Sequence, residues 1–170
     1  MTFKDWLEVV KSEGLICDRY LPMVLASRSR KQFMDVALDI NGITFLCDMV
    51  NAGYGLPYNV MNTEFAAYIN GRYIHVSSSS SGAYSSSMYC GVKAPSEITA
   101  STTLLGIFNC HCEIHVPKNH TVQLCVDSGS DVTVKLEPGS RCYIDLWDGG
   151  IVSHQDNDGD IIIKRKKYNG

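Results

Sequence analysis

The sequence lacks long apolar runs and a strong excess of charge of either sign. No stretch approaches the roughly 18 apolar residues of a membrane helix, and residues 1–7 carry Lys4 and Asp5 where a secretory signal needs an unbroken apolar segment. The chain has 15 basic and 18 acidic residues, so its formal charge of -3 provides no strong field for nucleic acid. We therefore expect a cytoplasmic protein that binds neither membranes nor nucleic acid.

The sequence patterns of common enzyme and cofactor sites are also missing. There is no CxxC pair, no glycine-rich phosphate loop, no nucleophile elbow and no HExxH helix. The cysteines are odd in number and lie in apolar segments, so we interpret them as reduced core residues. They are Cys17, Cys47, Cys90, Cys110, Cys112, Cys125 and Cys142. We accordingly expect no enzymatic activity and no bound cofactor.

Residues 1–73 have the periodicity of short helices. Thr2 is a candidate N-cap with Asp5 at the capping-box position, and apolar side chains then recur at helical spacing. The same signals predict later helices near residues 18–26, from Ser29 and over 43–51, and a last helix after Pro57 that ends at an Asn70-Gly71 C-cap. We predict a small bundle of short helices. Residues 74–97 contain serine runs and are predicted to form an exposed loop or linker.

Residues 98–170 are predicted to form β-structure with a ten-residue period and a basic tail at 164–167. Three apolar positions recur four times: Cys112, Val122, Val132 and Cys142; Ile114, Leu124, Val134 and Ile144; Val116, Val126, Leu136 and Leu146. Their i, i+2, i+4 spacing places one face of each strand inside, and turn residues separate the units. The predicted fold class is α+β. A β-solenoid or β-roll with two strands per rung is favoured over an antiparallel sandwich or barrel, but the repeat leaves both open.

One candidate metal site lies on the first of these strands. His111, Glu113 and His115 share its outward face, and two imidazoles with a carboxylate could hold a divalent ion. Same-face neighbours along a strand are about 7 Å apart. The three side chains would therefore need a bent strand or another ligand such as His120. Ordinary exposed polar residues explain the pattern equally well.

A second candidate metal site lies near the C-terminus. Asp156, Asp158 and Asp160 place carboxylates at alternate positions, as at the start of a calcium-binding loop. Gly159 is fourth rather than sixth, and Lys167 occupies the twelfth position, where an EF-hand has Glu. An acidic turn leading into a strand is the alternative interpretation.

Two segments carry a resemblance to other proteins. Residues 65–73 (FAAYINGRY) and 88–91 (MYCG), followed by the repeating strands, resemble small uncharacterised proteins of gut Bacteroidales and of their phages and mobile elements. The resemblance covers most of the chain and implies a phage or prophage setting, with a location in the host cytoplasm or the virion. It implies no activity and no functional residues.

The function predicted from these observations is a non-enzymatic structural or protein-interaction module, associated with a virion or its assembly. It would use its β-face for self-association or for binding a protein partner, and a homo-oligomer is expected. One alternative is a metal-dependent site on the strand that contains Glu113. Another is a small-ligand binder or inhibitor of a host system, with a pocket near Tyr54, Tyr73 and Tyr84.

Overall fold

The computed structural model describes residues 1–156 and 158–167, which form five helices followed by ten strands. The helices are α1 (Phe3–Ser12), α2 (Leu21–Ala26), α3 (Arg30–Ala37), α4 (Gly42–Asn51) and α5 (Tyr58–Glu64). The strands are β1 (His75–Ser79), β2 (Gly82–Cys90), β3 (Lys93–Thr99), β4 (Leu104–Phe108), β5 (His111–Val116), β6 (Thr121–Val126), β7 (Asp131–Leu136), β8 (Arg141–Trp147), β9 (Ile151–Asp156) and β10 (Asp160–Lys166). The predicted α+β class is confirmed. Within the described ranges, no helix is long and apolar enough to cross a membrane.

The helix starts follow the predicted capping chemistry. Thr2 and Asp5 form a capping box in which each backbone N–H donates to the other side chain, at 2.8 and 3.2 Å. Ser29 caps α3, and Pro22 lies in the first turn of α2, where its missing N–H costs nothing. Helix α5 is shorter than expected, because the chain leaves the helix at Phe65 instead of continuing toward residue 70.

The repeating strands form a parallel β-solenoid of about four turns. One sheet has the order β1-β2-β4-β6-β8-β10 and the other β3-β5-β7-β9. Each strand pairs with the strand one coil later, so that Cys112 lies opposite Val132 and Val122 opposite Cys142. Two strands therefore make one rung, as predicted. From β2 to β10 the pairs are parallel, which excludes the antiparallel alternatives.

The recurring apolar positions form the interior of the solenoid. Each of them is buried, and the most exposed is Cys112 at 8%. They belong to one apolar cluster that runs between the two sheets. The apolar residues at i, i+2 and i+4 of each ten-residue unit therefore correctly indicated which side chains point inward, because side chains alternate between the two faces of a strand.

The prediction of a loop over residues 74–97 is wrong. Most of this segment lies in β1, β2 and β3, and β2 begins the six-stranded sheet's parallel ladder. The serines are accommodated because their hydroxyls are bonded: Ser86 Oγ donates to the Leu38 carbonyl at 2.6 Å, and Ser87 Oγ lies 3.1 Å from Thr102 Oγ1. The solenoid therefore starts earlier in the chain than the repeat indicated.

The helices cover part of the outer face of the six-stranded sheet. Side chains from β2, β4, β6 and β8 join the apolar cluster of the helices, among them Met88, Phe108 and Trp147. Gly106 permits the approach of α4, because a Cβ there would lie only 3.1 Å from Ile43 Cγ2. The helices and the solenoid consequently share one packed boundary.

A buried carboxylate anchors this boundary. Asp127, in the turn after β6, is completely buried and accepts a hydrogen bond from the hydroxyl of Tyr58 at the start of α5. Beside it, the backbone N–H of Ser128 donates to Asn51 Oδ1 at the end of α4, at 2.9 Å. These bonds hold the ends of two helices against one corner of the solenoid.

Candidate interaction site

The residues of the first predicted metal site lie on the outer face of the four-stranded sheet, but they have separate partners. The carboxylate of Glu113 is paired with Lys135 Nζ at 2.7 Å, and His115 Nε2 lies 2.9 Å from Glu137 Oε1. The hydrogen bond from Lys135 holds the pKa of Glu113 below its ordinary value. In the part of the chain that the structure describes, no three His, Cys, Asp or Glu side chains form a group that could hold a metal ion. The site at His111, Glu113 and His115 therefore stays a prediction without support from this geometry.

His120, the possible additional ligand, has a different environment. Its Nε2 lies 3.2 Å from the carbonyl oxygen of Thr102, in the turn that leads into β4. This contact fixes His120 at a corner of the solenoid.

A groove of about 420 Å³ runs beside His111 and Glu113. It forms where the pairing of β3 with β5 shifts between Lys93 and Glu97. Glu97 and Glu113 are direct neighbours across the two strands. The lining of the groove is mixed, with polar and apolar residues, and no Trp, Tyr or Phe is among them, so the groove lacks the large aromatic anchors typical of small-molecule sites.

The second predicted metal site is only partly described. Asn157 and the side chain of Asp156 lie outside the described residues, as do residues 168–170. Asp158 lies in a turn with φ of 58°, and Asp160 begins β10, where both of its bonds from Arg141 go to Oδ2, at 3.1 and 3.3 Å. This site, too, stays a prediction.

The basic run at 164–167 is not the tail that was expected. Residues 164–166 belong to β10, which pairs along its whole length with β8. Lys166 is only 19% exposed and lies 3.4 Å from the carboxylate of Asp48 in α4. The positive charges are thus fixed on the edge of a sheet.

Of the three tyrosines predicted to lie near a ligand pocket, Tyr54 is 44% exposed, and Tyr73 and Tyr84 connect the first part of the solenoid to the helical part. The Tyr73 hydroxyl donates to Asp35, and the Tyr84 hydroxyl donates to Asp39. Burial opposes the ionisation of Asp39, but hydrogen bonds from Tyr84 and Tyr20 outweigh it and hold its pKa below the ordinary value. A structural role accounts for these hydroxyl groups.

The cysteines are free thiols, and six of the seven are buried. Burial raises the pKa of Cys142 to about 12 and that of Cys125 to about 11, so these thiols are poor nucleophiles. The interpretation as core residues is wrong only for Cys17, which is exposed.

The last coil of the solenoid, β9 and β10, leaves several apolar side chains exposed or only partly buried. We call it the terminal coil. Among the described strands, β9 pairs only with β7 and β10 only with β8, so each has one open edge. The inward side chains of Val152, Ile161 and Ile163 are only partly buried. On the other faces Ile151 is 57% exposed and Ile162 is 51% exposed.

An exposed cleft adjoins the terminal coil on the outer face of the six-stranded sheet. It has a volume of about 350 Å³ and includes Tyr143 and Ile162, which are direct neighbours on β8 and β10. The first coil differs, because β1 covers the edge of β2 and a bulge containing Pro95 interrupts β3. Pro and bulges protect sheet edges from pairing.

The unpaired last rung of an open solenoid is one reason why a homo-oligomer was expected, but the sequence reasoning did not place that rung at β9 and β10, although a signal was present. The first of the three apolar repeat positions is still apolar in β9, at Val152. The second and third positions are occupied there by His154 and Asp156. The apolar pattern therefore breaks in β9, where the stack ends. Ile161, Ile162 and Ile163 follow as a short unbroken apolar run, which an alternating pattern does not explain.

Comparison with known proteins adds no relative to this picture. No protein-family model matches the chain, and neither a curated protein nor a solved structure matches it.

Proposed function

We propose that this chain is a non-enzymatic assembly module that associates with a second copy of itself through the terminal coil. The observation that carries the proposal is that β9 and β10 each have an open edge at the end of the solenoid where the inward side chains of Val152, Ile161 and Ile163 are only partly buried. Unpaired strand edges are templates for pairing with another strand.

The apolar content of the terminal coil supports the same function. Ile161 and Ile163 project toward the solenoid interior but are only partly buried, because no further coil covers them in the described structure. A second coil stacked on this end would bury them as Ile144 is buried, at 1% exposure. Removal of apolar surface from water is the main driving force of association.

The rest of the β-surface offers less for binding. On the outer face of the four-stranded sheet, the carboxylates of Glu113 and Glu137 are paired with Lys135 and His115. Exposed ion pairs of this kind contribute little free energy. The expected phage or prophage setting is compatible with an assembly role, and it remains part of the proposal.

The test is light scattering coupled to size-exclusion chromatography, applied to two matched variants. Ile162→Lys places a charge on the terminal coil, and Val76→Lys makes the same type of change on β1, where the side chain is 69% exposed. We expect the wild type and Val76→Lys to form a defined oligomer at micromolar to sub-millimolar concentrations, and Ile162→Lys to be monomeric. Circular dichroism checks that both variants fold.

A wild-type protein that is monomeric throughout this concentration range contradicts the proposal. Equal loss of assembly in both variants also contradicts it, because the interface would then not be confined to the terminal coil.

A further inference from the structure

The hydrogen-bonding phase of β10 determines which residues can bond a second strand. The backbone N–H of Asp160 donates to the Ser140 carbonyl at 2.9 Å, and the carbonyl of Lys166 accepts from the Asp148 N–H at 3.0 Å. In a parallel ladder, alternate residues direct both backbone groups to the same neighbour. The even-numbered residues of β10 therefore bond the β8 side, and Ile161 and Ile163 direct their N–H and C=O groups to the open edge.

The sequence of this edge is self-complementary in an antiparallel arrangement. Residues 160–164 read Asp-Ile-Ile-Ile-Lys. With a two-fold axis at Ile162, Asp160 faces Lys164 of the second copy and Ile161 faces its Ile163. Ile162 faces its own equivalent. Opposite charges and pairs of apolar residues are the favourable cross-strand combinations.

This arrangement also satisfies the backbone. In an antiparallel pair, hydrogen-bonded and non-hydrogen-bonded residue pairs alternate. The pair of Ile161 with Ile163 is then hydrogen-bonded, which matches the direction of their free groups. Asp160 can accept from the second copy, because both bonds from Arg141 go to Oδ2 and leave Oδ1.

The neighbouring registers are less favourable. An axis at Ile163 would place Ile161 opposite Arg165 and Ile162 opposite Lys164, and an axis at Ile161 would place Asp160 opposite Ile162. Each sets charged side chains against apolar ones. An axis between two residues would shift the register by one residue. Such a register is excluded, because it would place the inward isoleucines opposite outward side chains.

The two ends of the solenoid differ, and this difference limits the assembly to two copies. Head-to-tail stacking would require the first coil to accept a parallel strand, but its outermost strand in one sheet, β1, runs antiparallel to the other strands, and its outermost strand in the other sheet, β3, contains Pro95 and a register shift. Pairing of terminal coil with terminal coil uses the same surface on both copies and therefore closes. Building on the proposed function, we propose that two copies pair their β10 strands antiparallel about a two-fold axis at Ile162 to form a closed dimer.

Disulfide trapping tests the position of the axis. All variants carry Cys17→Ser, because Cys17 is exposed whereas the other native cysteines are buried. At the non-hydrogen-bonded position on the axis, the two Cα atoms would be about 4.5 Å apart, within disulfide range. We expect Ile162→Cys to give mainly a disulfide-linked dimer under mild oxidation, reversed by a reducing agent.

Two variants are matched controls. Tyr143→Cys lies beside Ile162 on the same face but one strand further from the edge, and Ile163→Cys would be opposite itself only with the neighbouring axis. Both should give only background cross-linking.

The charges at residues 160 and 164 are tested by the dissociation constant of the dimer. Lys164→Asp should raise this constant about tenfold, because the two-fold axis produces the repulsion with Asp160 twice. Adding Asp160→Lys should restore affinity.

The outcomes separate this inference from the proposed function. Dominant cross-linking at residue 163, or a dimer in light scattering without cross-linking at 162, overturns the axis at Ile162 but leaves assembly intact. An assembly larger than two copies overturns the closed dimer. A monomeric wild type overturns both proposals.

Discussion

Removal of the Tyr58 hydroxyl should destabilise the fold, because it breaks the anchor between helices and solenoid. Asp127 is completely buried, and its Oδ2 accepts from Tyr58. Its Oδ1 accepts from Ser130 Oγ at 2.5 Å and from the Asn109 N–H at 3.1 Å. Tyr58→Phe keeps the ring and removes only the donor to Oδ2, so a buried carboxylate oxygen loses its partner.

The magnitude follows from the charge on the acceptor. A hydrogen bond to a charged group contributes about 1.5 to 3 kcal/mol, and an unsatisfied buried acceptor costs a comparable amount. For a chain of 170 residues, each kcal/mol corresponds to roughly 2 to 4 °C in Tm. We therefore expect Tyr58→Phe to lower Tm by about 3 to 12 °C.

Thermal and urea unfolding, followed by circular dichroism, measure this effect. Tyr54→Phe is the matched control, because that residue is 44% exposed. The control should change the free energy of unfolding by less than about 0.5 kcal/mol. If Tyr58→Phe falls within the same limit, Asp127 must be reached by solvent, and the argument for a buried anchor is refuted.

Three further predictions concern stability and are checked by the same unfolding measurements. Ile144→Ala should cost about 2 to 5 kcal/mol, because it leaves a cavity in the solenoid interior. The depressed pKa of Asp39 means that its contribution is present above about pH 4 and lost as the pH falls through the folded pKa, so Tyr84→Phe should flatten the acid limb of the pH profile. Lys135→Ala removes an exposed ion pair with Glu113 and should cost less than about 1 kcal/mol.

The residues in the interior of the solenoid were predictable because the alternation of apolar and polar residues within each strand is a local sequence pattern. Residues such as Val132, Val134 and Leu136 alternate with polar ones, and the alternation alone determines which face is buried. The direction of pairing was harder, because successive units carry the same apolar pattern. Only the structure shows that Cys112 pairs with Val132, two units later, and not with Val122 in the next unit.

The serine-rich strands could not be predicted because their stabilising contacts are distant in the sequence. Ser86 is buried through a bond to the carbonyl of Leu38, at the C-cap of α3. Composition predicted a loop because an unbonded buried hydroxyl is costly. The same limit applies to Asp127, whose burial depends on a tyrosine 69 residues earlier in the chain.

The sequence predicted a β-surface for association, but on a different part of the solenoid from the terminal coil proposed here. A β-surface for association was expected, and the sequence drew attention to the polar face that contains His111. The sequence indicates that face because His and Glu alternate along one strand. The ion pairs of its residues with Lys135 and Glu137 could not be predicted, because they depend on the neighbouring coil and turn. An unpaired last rung was expected of an open solenoid, but its apolar residues were not identified, because three isoleucines in succession are unremarkable without knowledge of which edge stays open.

The charges of β10 distinguish antiparallel from parallel pairing of two copies. Lysines on an edge strand usually oppose pairing with other strands. In a parallel, in-register pair of β10 strands, Lys164, Arg165 and Lys166 would each face their own equivalents, and like charges directly opposite are destabilising. In the antiparallel pair about Ile162, Lys164 faces Asp160 instead. The same basic residues that disfavour the parallel pair therefore permit the antiparallel arrangement. Because β8 occupies the other edge of β10, this pairing uses the open edge of that strand in each copy, and the assembly through β10 ends at two copies.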